Sequence, residues 1–270
     1  MGSSWAIVRK ELQDRWLSLV VYCGIALAFL TLYISLFPSL KRQAQELLRV
    51  FQSMPPAVLE VFGGDQNSFT SLERYLAVEF YSLTWPLMAV LLALTRASRG
   101  LAGEVEQGTM GSLLALPLSR TRLFWSKYAA GLLAQLLFVV CSVVAIMPLA
   151  SLGGISLQGD KVGSLTLICV AFSTTVYSLG TLCSAWMSDR GRVMAVAGGG
   201  MLIMYVLNVM SKLKPEVDWL ANVSLFHYFE ASQTLAKGGV DGLSLGILAG
   251  VSLAATLGAW VLFARRDITV

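Results

Sequence analysis

Apolar residues fill six stretches of the chain, and each is about as long as a helix needs to be to cross a bilayer. Charged positions gather mainly between these stretches. The pattern predicts an all-α integral membrane protein with six transmembrane helices in one domain, 1–270. The predicted crossings are 16–37, 76–95, 124–150, 164–187, 193–210 and 243–264, and the longer connections between them are 38–75, 96–123 and 211–242.

A separate short pattern, over residues 4–15, precedes the first crossing. Apolar residues recur at spacings of three and four, and basic residues occupy the other face. This predicts an amphipathic helix that lies in the plane of the lipid headgroups. The alternative is that the segment is only the frayed start of the first crossing. The residues of this interfacial helix are Trp5, Val8, Arg9, Lys10, Glu11 and Leu12.

The connection 96–123 combines charges with an apolar stripe. Apolar residues share one face of a predicted helix, and a proline then ends that helix. An apolar anchor with a charged edge suits the docking of a soluble protein partner. The alternative is a helix that lies passively on lipid headgroups. The residues concerned are Val105, Met110, Leu113 and Leu114 on the apolar face, Glu104 and Arg120 at the edges, Pro117 at the stop, and Ser119 as the N-cap of the next helix.

The composition argues against a soluble protein. Hydrophobic residues make up 56% of the 270 positions and charged residues only 13%, whereas soluble domains carry about a quarter charged residues. Burial of the whole chain in a soluble core is therefore rejected. The net charge of +4 is explained by membrane topology, and no nucleic acid is expected as a partner.

The positions of Lys and Arg predict how the chain is oriented. Placing the N-terminus in the cytoplasm puts twelve of them inside and eight outside, where the connections are longer. This bias predicts an N-in, C-in topology with 96–123 in the cytoplasm and with 38–75 and 211–242 extracytoplasmic. The charged first fifteen residues and the long apolar run after them predict a retained signal anchor rather than a cleaved signal peptide.

Residues that carry chemistry are sparse. The four cysteines lie singly inside apolar runs, and His227 is the only histidine, so no metal site is predicted. The sequence contains no nucleophile elbow, zinc-protease motif or Walker A motif. We therefore predict that the chain is not an enzyme by itself and binds no cofactor of its own.

Polar residues inside the crossings are candidates for lining a transport pathway. Pro86 is expected to kink the second crossing and to free a backbone carbonyl. Helix packing is the alternative role for these positions. The candidates are Tyr33, Thr84, Trp85, Ser173, Thr174, Tyr177, Tyr205 and Asn208.

The stretch GEVEQGTMGSLLALPLSR, 103–120, resembles the inner-loop signature of ABC-2-type permeases, the membrane subunits of a class of ATP-binding-cassette exporters. Met110, Gly111 and Ser112 depart from that family, which has an acidic residue shortly after Gly-Thr. VRKEL, MPPAVLEVFG, YLAVEFYSLTWPL, SLFHYF and FARRD are similar to a subgroup that includes antibiotic and multidrug exporters. The signature positions are Glu104, Gly108, Thr109, Leu113, Leu114, Leu116, Pro117, Ser119 and Arg120.

The resemblance implies a half-transporter in the inner membrane of a bacterial cell. Two such subunits, identical or different, would pair, and each would seat its coupling helix in a cleft of a separate ATPase that binds ATP and Mg. Closure of the ATPases would switch the membrane halves by alternating access and export an amphipathic drug, antibiotic, lipid or peptide. The implied ATPase-coupling residues are Glu104, Val105, Gly108, Thr109, Met110, Leu113, Leu114, Pro117, Ser119 and Arg120.

Two other functions stay open on the residues alone. A membrane-anchored assembly or regulatory subunit would use the same fold without translocating any substrate. An intramembrane enzyme would need polar catalytic groups at bilayer depth, and the apolar runs offer almost none.

Overall fold

The structure is a computed structural model that describes residues 2–42, 71–114, 119–152 and 159–266. Within these ranges the regular elements are helical and no strand occurs. The helices are α1 (Gly2–Asp14), α2 (Trp16–Arg42), α3 (Leu72–Glu79), α4 (Trp85–Gly100), α5 (Ala102–Glu106), α6 (Met110–Leu114), α7 (Arg120–Val144), α8 (Ile146–Leu152), α9 (Gly159–Trp186), α10 (Arg190–Leu213), α11 (Leu225–Tyr228), α12 (Ala231–Lys237) and α13 (Gly242–Arg265), with a π-helical segment at Phe80–Thr84 and a 3-10 segment at Pro215–Val223.

Six helical stretches are long and apolar enough to cross a membrane, which confirms the predicted fold class. Most of the predicted 38–75 connection lies outside the described residues, as do Leu116, Pro117, Asp267 and the side chains of Leu113 and Leu114. The stretches, called the first to sixth crossings below, are Trp16–Leu40, Leu72–Gly100, Arg120–Ser151, Gly159–Trp186, Arg190–Leu213 and Gly242–Arg265.

Four of the crossings begin at a side chain that caps the helix, and the second crossing does so at Ser71, which accepts from the backbone N–H of Arg74 at 3.3 Å. Ser119 accepts a hydrogen bond from the backbone N–H three residues later, at 3.3 Å, as the sequence predicts. Asp189 does the same at the start of the fifth crossing, at 2.7 Å, and Asp241 at the start of the sixth, at 2.9 Å. Each cap satisfies a backbone donor that the helix itself leaves free, so these boundaries are set locally.

The second crossing contains a π-helical turn, Phe80–Thr84, directly before Pro86. A proline lacks an N–H group, and its ring clashes with the carbonyl one turn earlier. One extra residue in the turn gives that carbonyl room. The hydroxyl groups of Ser82 and Thr84 donate to carbonyls five residues back, at 3.0 and 3.4 Å. The kink expected from Pro86 therefore takes the form of a widened turn.

The fourth crossing lies at the centre of the bundle, where it packs along the second, third and sixth crossings. Buried hydroxyl groups join three of these helices. Tyr128 Oη lies 2.8 Å from Ser178 Oγ and 2.9 Å from Thr256 Oγ1, and Ser178 Oγ lies 3.0 Å from Ser252 Oγ. Because an unpaired hydroxyl group is costly in an apolar interior, these contacts fix the three helices relative to one another.

The first, fifth and sixth crossings present large apolar side chains outward. Leu17, Leu202, Ile203 and Leu253 are between 61 and 64% exposed. The second and fourth crossings, by contrast, are mostly buried. Apolar surface of this extent needs lipid or another apolar surface around it. The arrangement is that of a multi-pass membrane protein.

Candidate coupling site and membrane chamber

The connection between the second and third crossings comprises residues 101–119, and its described part, 101–114 and 119, contains two short helices, α5 and α6, separated by a turn at Gly108. Gly108 has a φ of 71°, in the left-handed region that glycine adopts without strain. The N–H of Thr109 donates to the carbonyl of Glu104 at 3.0 Å and closes the turn. The N–H of Ala102 donates to Ser184 Oγ on the fourth crossing at 2.9 Å. The described part of the connection is therefore attached to the bundle.

A buried lysine pairs with carboxylates from two other elements. Lys127, on the third crossing, is 5% exposed. Its Nζ lies 2.8 Å from Glu104 Oε1 in the connection and 3.4 Å from Glu11 Oε2 on α1. Glu11 also pairs with Arg15 at 2.6 Å. We call Glu11, Glu104 and Lys127 the lysine clamp, because one ammonium group holds both α1 and the connection against the third crossing.

The environment of Glu104 favours its charged form. Burial acts to raise the pKa of this carboxyl group, but the Lys127 ammonium and hydrogen bonds from Lys127 and Thr109 outweigh burial and lower the pKa from its ordinary value. Because the folded-state pKa lies below the unfolded-state value, the contribution of Glu104 to stability is present at neutral pH. It is lost as the pH falls through the folded-state pKa.

A second ion pair ties the connection to the fifth crossing. Glu106 Oε2 accepts from the backbone N–H of Arg190 at 2.9 Å and from its Nε at 3.2 Å. Both side chains are partly solvent-exposed, at 36 and 39%. Arg190 is the first residue of α10, so its backbone N–H has no partner within the helix. The carboxylate of Glu106 therefore satisfies a free donor at the start of the fifth crossing.

Arginine side chains gather both ends of the described chain at this end of the bundle. Arg96 donates to the carbonyl of Arg15, between α1 and the first crossing, at 2.8 Å. Arg120 donates to the carbonyl of Arg266 at 2.6 Å, and Arg266 donates to the carbonyl of Met187 at 3.0 Å. The start of the first crossing and the end of the sixth thus lie beside the connection. That this end is cytoplasmic stays a prediction.

The predicted coupling residues divide into a buried base and an exposed tip. Met110 was assigned to the surface that faces a partner, but its side chain is only 1% exposed and packs in the core of the chain itself. Val105 is partly buried against the same core. Residues 106–109, which include Gly108 and Thr109, form one exposed run that we call the tip, and Ser119 is exposed as well. A role for these residues in docking stays a prediction.

The N-terminal segment forms a helix of its own, α1, which a turn at Arg15 separates from the first crossing. Val8 is buried, whereas Trp5 is 64% exposed and Arg9 and Lys10 are exposed. α1 packs against the third crossing. This division of faces favours the predicted amphipathic helix over a frayed start of the first crossing. Its contact with lipid headgroups stays a prediction.

Two of the candidate pathway residues contribute to helix packing. Trp85 is fully buried, and its Nε1 donates to Ser142 Oγ on the third crossing at 2.8 Å. Tyr177 fills the space in front of Gly131, where an added Cβ would lie 2.0 Å from Tyr177 Oη. Glycine at position 131 thus lets the third and fourth crossings approach closely.

Four other candidates lie in the bundle away from these contacts. The hydroxyl groups of Tyr33 and Thr84 lie 3.4 Å apart and join the first crossing to the π-helical turn. Ser173 is buried, and its Oγ has no hydrogen-bond partner in the described part of the chain. Thr174 is half-buried. A role for these six residues in lining a pathway stays a prediction.

The remaining two candidates, Tyr205 and Asn208, line a cavity of about 560 Å³ near the end of the fifth crossing. Residues of the second crossing, the 3-10 segment, α11 and α12 complete its walls. We call this cavity the chamber. It lies at the opposite end of α10 from Arg190, and hence far from the tip. Its volume is within the range of small-molecule sites.

The sequence analysis missed several residues that shape these sites. Lys127 gave a signal, a charge inside a predicted apolar run, but nothing in the sequence identified Glu11 and Glu104 as its partners. Gln135 gave the same kind of signal. It is fully buried, its Nε2 donates to the carbonyl of Ala89 at 3.3 Å, and its Oε1 has no partner within the described ranges.

Side chains that bind metals are dispersed. The four cysteines are free thiols. No group of three or more His, Cys, Asp or Glu side chains that could hold a metal ion was found in the part of the chain that the structure describes. The chemistry that the described sites offer is therefore ion pairing at the connection and hydrogen bonding with aromatic contacts in the chamber.

A comparison with protein families extends these observations to nearly the whole chain. The model of a family described as "ABC-2 family transporter protein" matches residues 5–268. No curated protein matches the chain at a significant level. The matched range contains all six crossings, the 101–119 connection, the tip and the chamber.

Proposed function

Because the chain belongs to the ABC-2 family of transporter proteins, we propose that it is the permease subunit of an ABC exporter, paired with a second permease subunit and driven by a separate ATPase. The ATPase binds ATP and Mg, and this chain supplies the path for an amphipathic substrate. The complex lies in the inner membrane of a bacterial cell with both termini of this chain in the cytoplasm. The excess of Lys and Arg on that side supports the orientation.

The observation that carries the proposal is the lysine clamp beneath the exposed tip. Residues 106–109 are open to a partner, while Glu104, two residues earlier, is held by the buried Lys127. A loop that served only to join two helices would not need a buried ammonium group, because burying a charge is costly unless it is paired. The clamp instead makes the connection rigid enough to transmit movement of the ATPase to the membrane helices.

The contacts of the connection would transmit movement of the ATPase to four elements of the chain. Glu104 contacts Lys127 on the third crossing, and Lys127 in turn contacts Glu11 on α1. Glu106 contacts the start of the fifth crossing, and Ala102 is hydrogen-bonded to the fourth crossing. Energetic coupling between distant sites needs rigid elements with contiguous contacts of this kind. Movement of the ATPases would therefore shift the crossings between inward-facing and outward-facing states.

Docking on the ATPase differs in one respect from the sequence prediction. Met110 is buried in the chain's own core and holds the connection in place rather than facing the partner. The proposed docking surface is the tip, with its carboxylate, amide and hydroxyl groups. Leu113 and Leu114 remain the proposed apolar anchor. The separation of base and tip predicts that docking and coupling can be lost independently.

The experiment tests these two steps with different variants. The full-length chain is co-expressed with a candidate ABC ATPase subunit from the same genome, and co-purification and ATP hydrolysis by the complex are measured. Gln107→Arg at the exposed tip should abolish co-purification. Glu104→Lys, which sets a second cation against Lys127, should keep co-purification but change ATP hydrolysis by about tenfold relative to the native complex, within the usual range for coupled sites.

The matched control is Glu216→Gln, which removes an exposed carboxylate far from the connection. It should leave both measurements at their native values. Unchanged co-purification in Gln107→Arg, together with unchanged ATP hydrolysis in Glu104→Lys, would contradict the coupling role. That result would favour an assembly or regulatory subunit that does not translocate substrate.

A further inference from the structure

We propose that the chamber binds amphipathic molecules that carry a protonated amine, and that molecules of this class are the transported substrate. The second half of the proposal rests on the proposed transport role, whereas binding is a property of this chain alone. Three independent features of the lining support it: an unpartnered buried amide, an excess of carboxylates, and aromatic faces.

The first feature is Asn208. This residue is 7% exposed, and its Oδ1 is buried without a hydrogen-bond partner within the described ranges, although the residue lines the chamber. An amide oxygen that is buried without a donor is destabilising. Among the described buried atoms without a partner, the Asn208 oxygen is the one whose residue lines the chamber, so a ligand there can supply its donor. An acceptor oxygen of this kind calls for a ligand with an N–H or O–H group.

The second feature is the charge of the lining. Asp218 and Glu230 contribute two carboxylates, and neither is within ion-pair distance of a described cation. Lys212 contributes one positive charge, but it lies in the last turn of α10, where the carbonyl end of the helix already attracts a cation. His227 also lines the chamber, and with this histidine counted as neutral the two carboxylates outnumber the one lysine, which favours a cationic ligand over an anionic one.

The third feature is the aromatic wall. Tyr205 and Phe226 meet edge to face with ring centroids 5.3 Å apart. Phe229 is stacked on Trp85 at 5.5 Å and lies 4.6 Å from Phe172, so its ring is held in place from two sides. Fixed aromatic rings bind the apolar part of a ligand and attract a nearby ammonium group. Together with the carboxylates they match an amphipathic amine.

The chamber is also connected to the tip through a single helix. Arg190, paired with Glu106, starts α10, and Asn208 lies eighteen residues later on the same helix. At the rise of an α-helix this is about 27 Å, close to the thickness of the hydrocarbon core. Movement of the fifth crossing by the ATPase would therefore alter the chamber directly, at the far side of the membrane.

The test uses a fluorescent probe of the proposed class and the purified full-length chain in detergent, without an ATPase. Dansylcadaverine carries an aromatic group and a primary ammonium group. Its N-acetyl derivative is neutral, and dansylglycine is anionic. We expect a fluorescence increase with dansylcadaverine, about tenfold weaker affinity for the neutral derivative, and weaker affinity still for the anion, because a charge-assisted hydrogen bond is worth about that factor.

Two variants test whether the probe binds in the chamber. Glu230→Gln removes the charge with little change in shape, and Asn208→Leu removes the buried acceptor at similar volume. Each should weaken dansylcadaverine about tenfold, while affinity for the neutral derivative changes less in Glu230→Gln. Glu216→Gln, a carboxylate in the same 3-10 segment as Asp218 but outside the chamber lining, should leave the affinity unchanged.

Equal affinity for the three probes would overturn the proposal, as would an equal loss in Glu230→Gln and Glu216→Gln. Tighter binding of dansylglycine would show that the chamber prefers anions and would also contradict it. These outcomes are separate from failure of the proposed function. Normal probe binding with no co-purifying ATPase would support the amine-binding chamber and contradict the exporter role. Loss of probe binding with a co-purifying, coupled ATPase would contradict the amine-binding chamber and support the exporter role.

Discussion

The two ends of the bundle treat their polar groups in opposite ways. At the end that carries the connection, the buried Lys127 contacts two carboxylates, and Glu106 contacts both a side chain and a free backbone donor. At the other end, Asn208 keeps an unpartnered oxygen within the described ranges, and the carboxylate of Glu230 lies apart from the described cations. The lysine clamp uses its charges internally, whereas the chamber lining leaves its carboxylates available, although Glu73 and Lys161 pair at 3.7 Å at the same end of the bundle as the chamber.

This difference suggests how the work is divided along the molecule. Paired charges at the connection fix the relative positions of α1 and the third, fourth and fifth crossings, which suits a part that passes on movement. Unpaired groups around a cavity reduce stability, and they are expected where a ligand completes them. A membrane protein that must both receive force and hold a substrate needs both kinds of end.

The largest expected effect comes from removing the ammonium group of the clamp. Lys127→Met removes the cation paired with Glu104 and leaves Glu11 with Arg15 alone, so we expect a loss of about 3 kcal/mol in stability. The matched variant, Lys212→Met in the chamber, removes a lysine without an ion pair among the described residues and should change stability by less than about 0.5 kcal/mol. Thermal unfolding of the purified chain measures both.

The clamp also predicts a rescue. Adding Glu104→Gln to Lys127→Met removes the carboxylate that has lost its ion-pair partner and should recover part of the lost stability. If both lysine variants unfold at the same temperature, the two ends do not differ in the way described here.

The second prediction reverses the usual sign of a core substitution. Asn208→Leu replaces an unsatisfied buried amide and should stabilise the chain without ligand by about 1 kcal/mol. Ser142→Ala removes a buried hydroxyl group that accepts from Trp85 Nε1 and donates to the carbonyl of Phe138, and should destabilise by about 1 kcal/mol. Unfolding temperatures that fall in both variants would show that Asn208 is satisfied in solution.

The sequence predicts the crossings better than it predicts the two ends. Lipid dictates the length and apolarity of a crossing, and a cap such as Ser119 acts on its own helix, so both leave local signals. Met110 shows where local signals stop, because the apolar face of a short helix packs equally well on its own bundle or on a partner. Lys127 is 116 residues from Glu11, and only the packing of three elements brings the two together.

The chamber illustrates the same limit for a cavity. Tyr205 and Asn208 were candidates because they are polar residues inside a crossing. Phe226 and Glu230 come from the connection after that crossing, and nothing in the sequence shows that they face the same space. A cavity is defined by what several segments leave unfilled, so its lining emerges only with the relative placement of those segments.

The third prediction concerns the turn above the clamp. Gly108→Ala places a side chain at a φ of 71°, and we expect a cost of about 1 kcal/mol from backbone strain alone, because the space around this position is open. Asparagine adopts this conformation more readily, so Gly108→Asn should cost less. Chain stability and ATPase co-purification are measured for both. A cost for alanine no larger than that for asparagine would exclude strain as the cause.

The smallest effect is expected for the exposed ion pair, and it separates the two ionic contacts of the connection. The Glu106 and Arg190 side chains are 36 and 39% exposed, so solvent screens their attraction. A double-mutant cycle with Glu106→Gln and Arg190→Gln should give a coupling energy below about 1 kcal/mol, and this energy should decrease further with added salt. Glu106 additionally accepts from the backbone N–H of Arg190, so the single variant Glu106→Gln should retain part of its contact through the amide oxygen.

A cycle with Glu104→Gln and Lys127→Met should give a larger and less salt-sensitive coupling energy, because the Lys127 side chain is 4% exposed. Equal coupling energies with equal salt dependence would mean that the clamp is no more shielded from solvent than the surface pair. The clamp could then not account for a rigid connection beneath the tip.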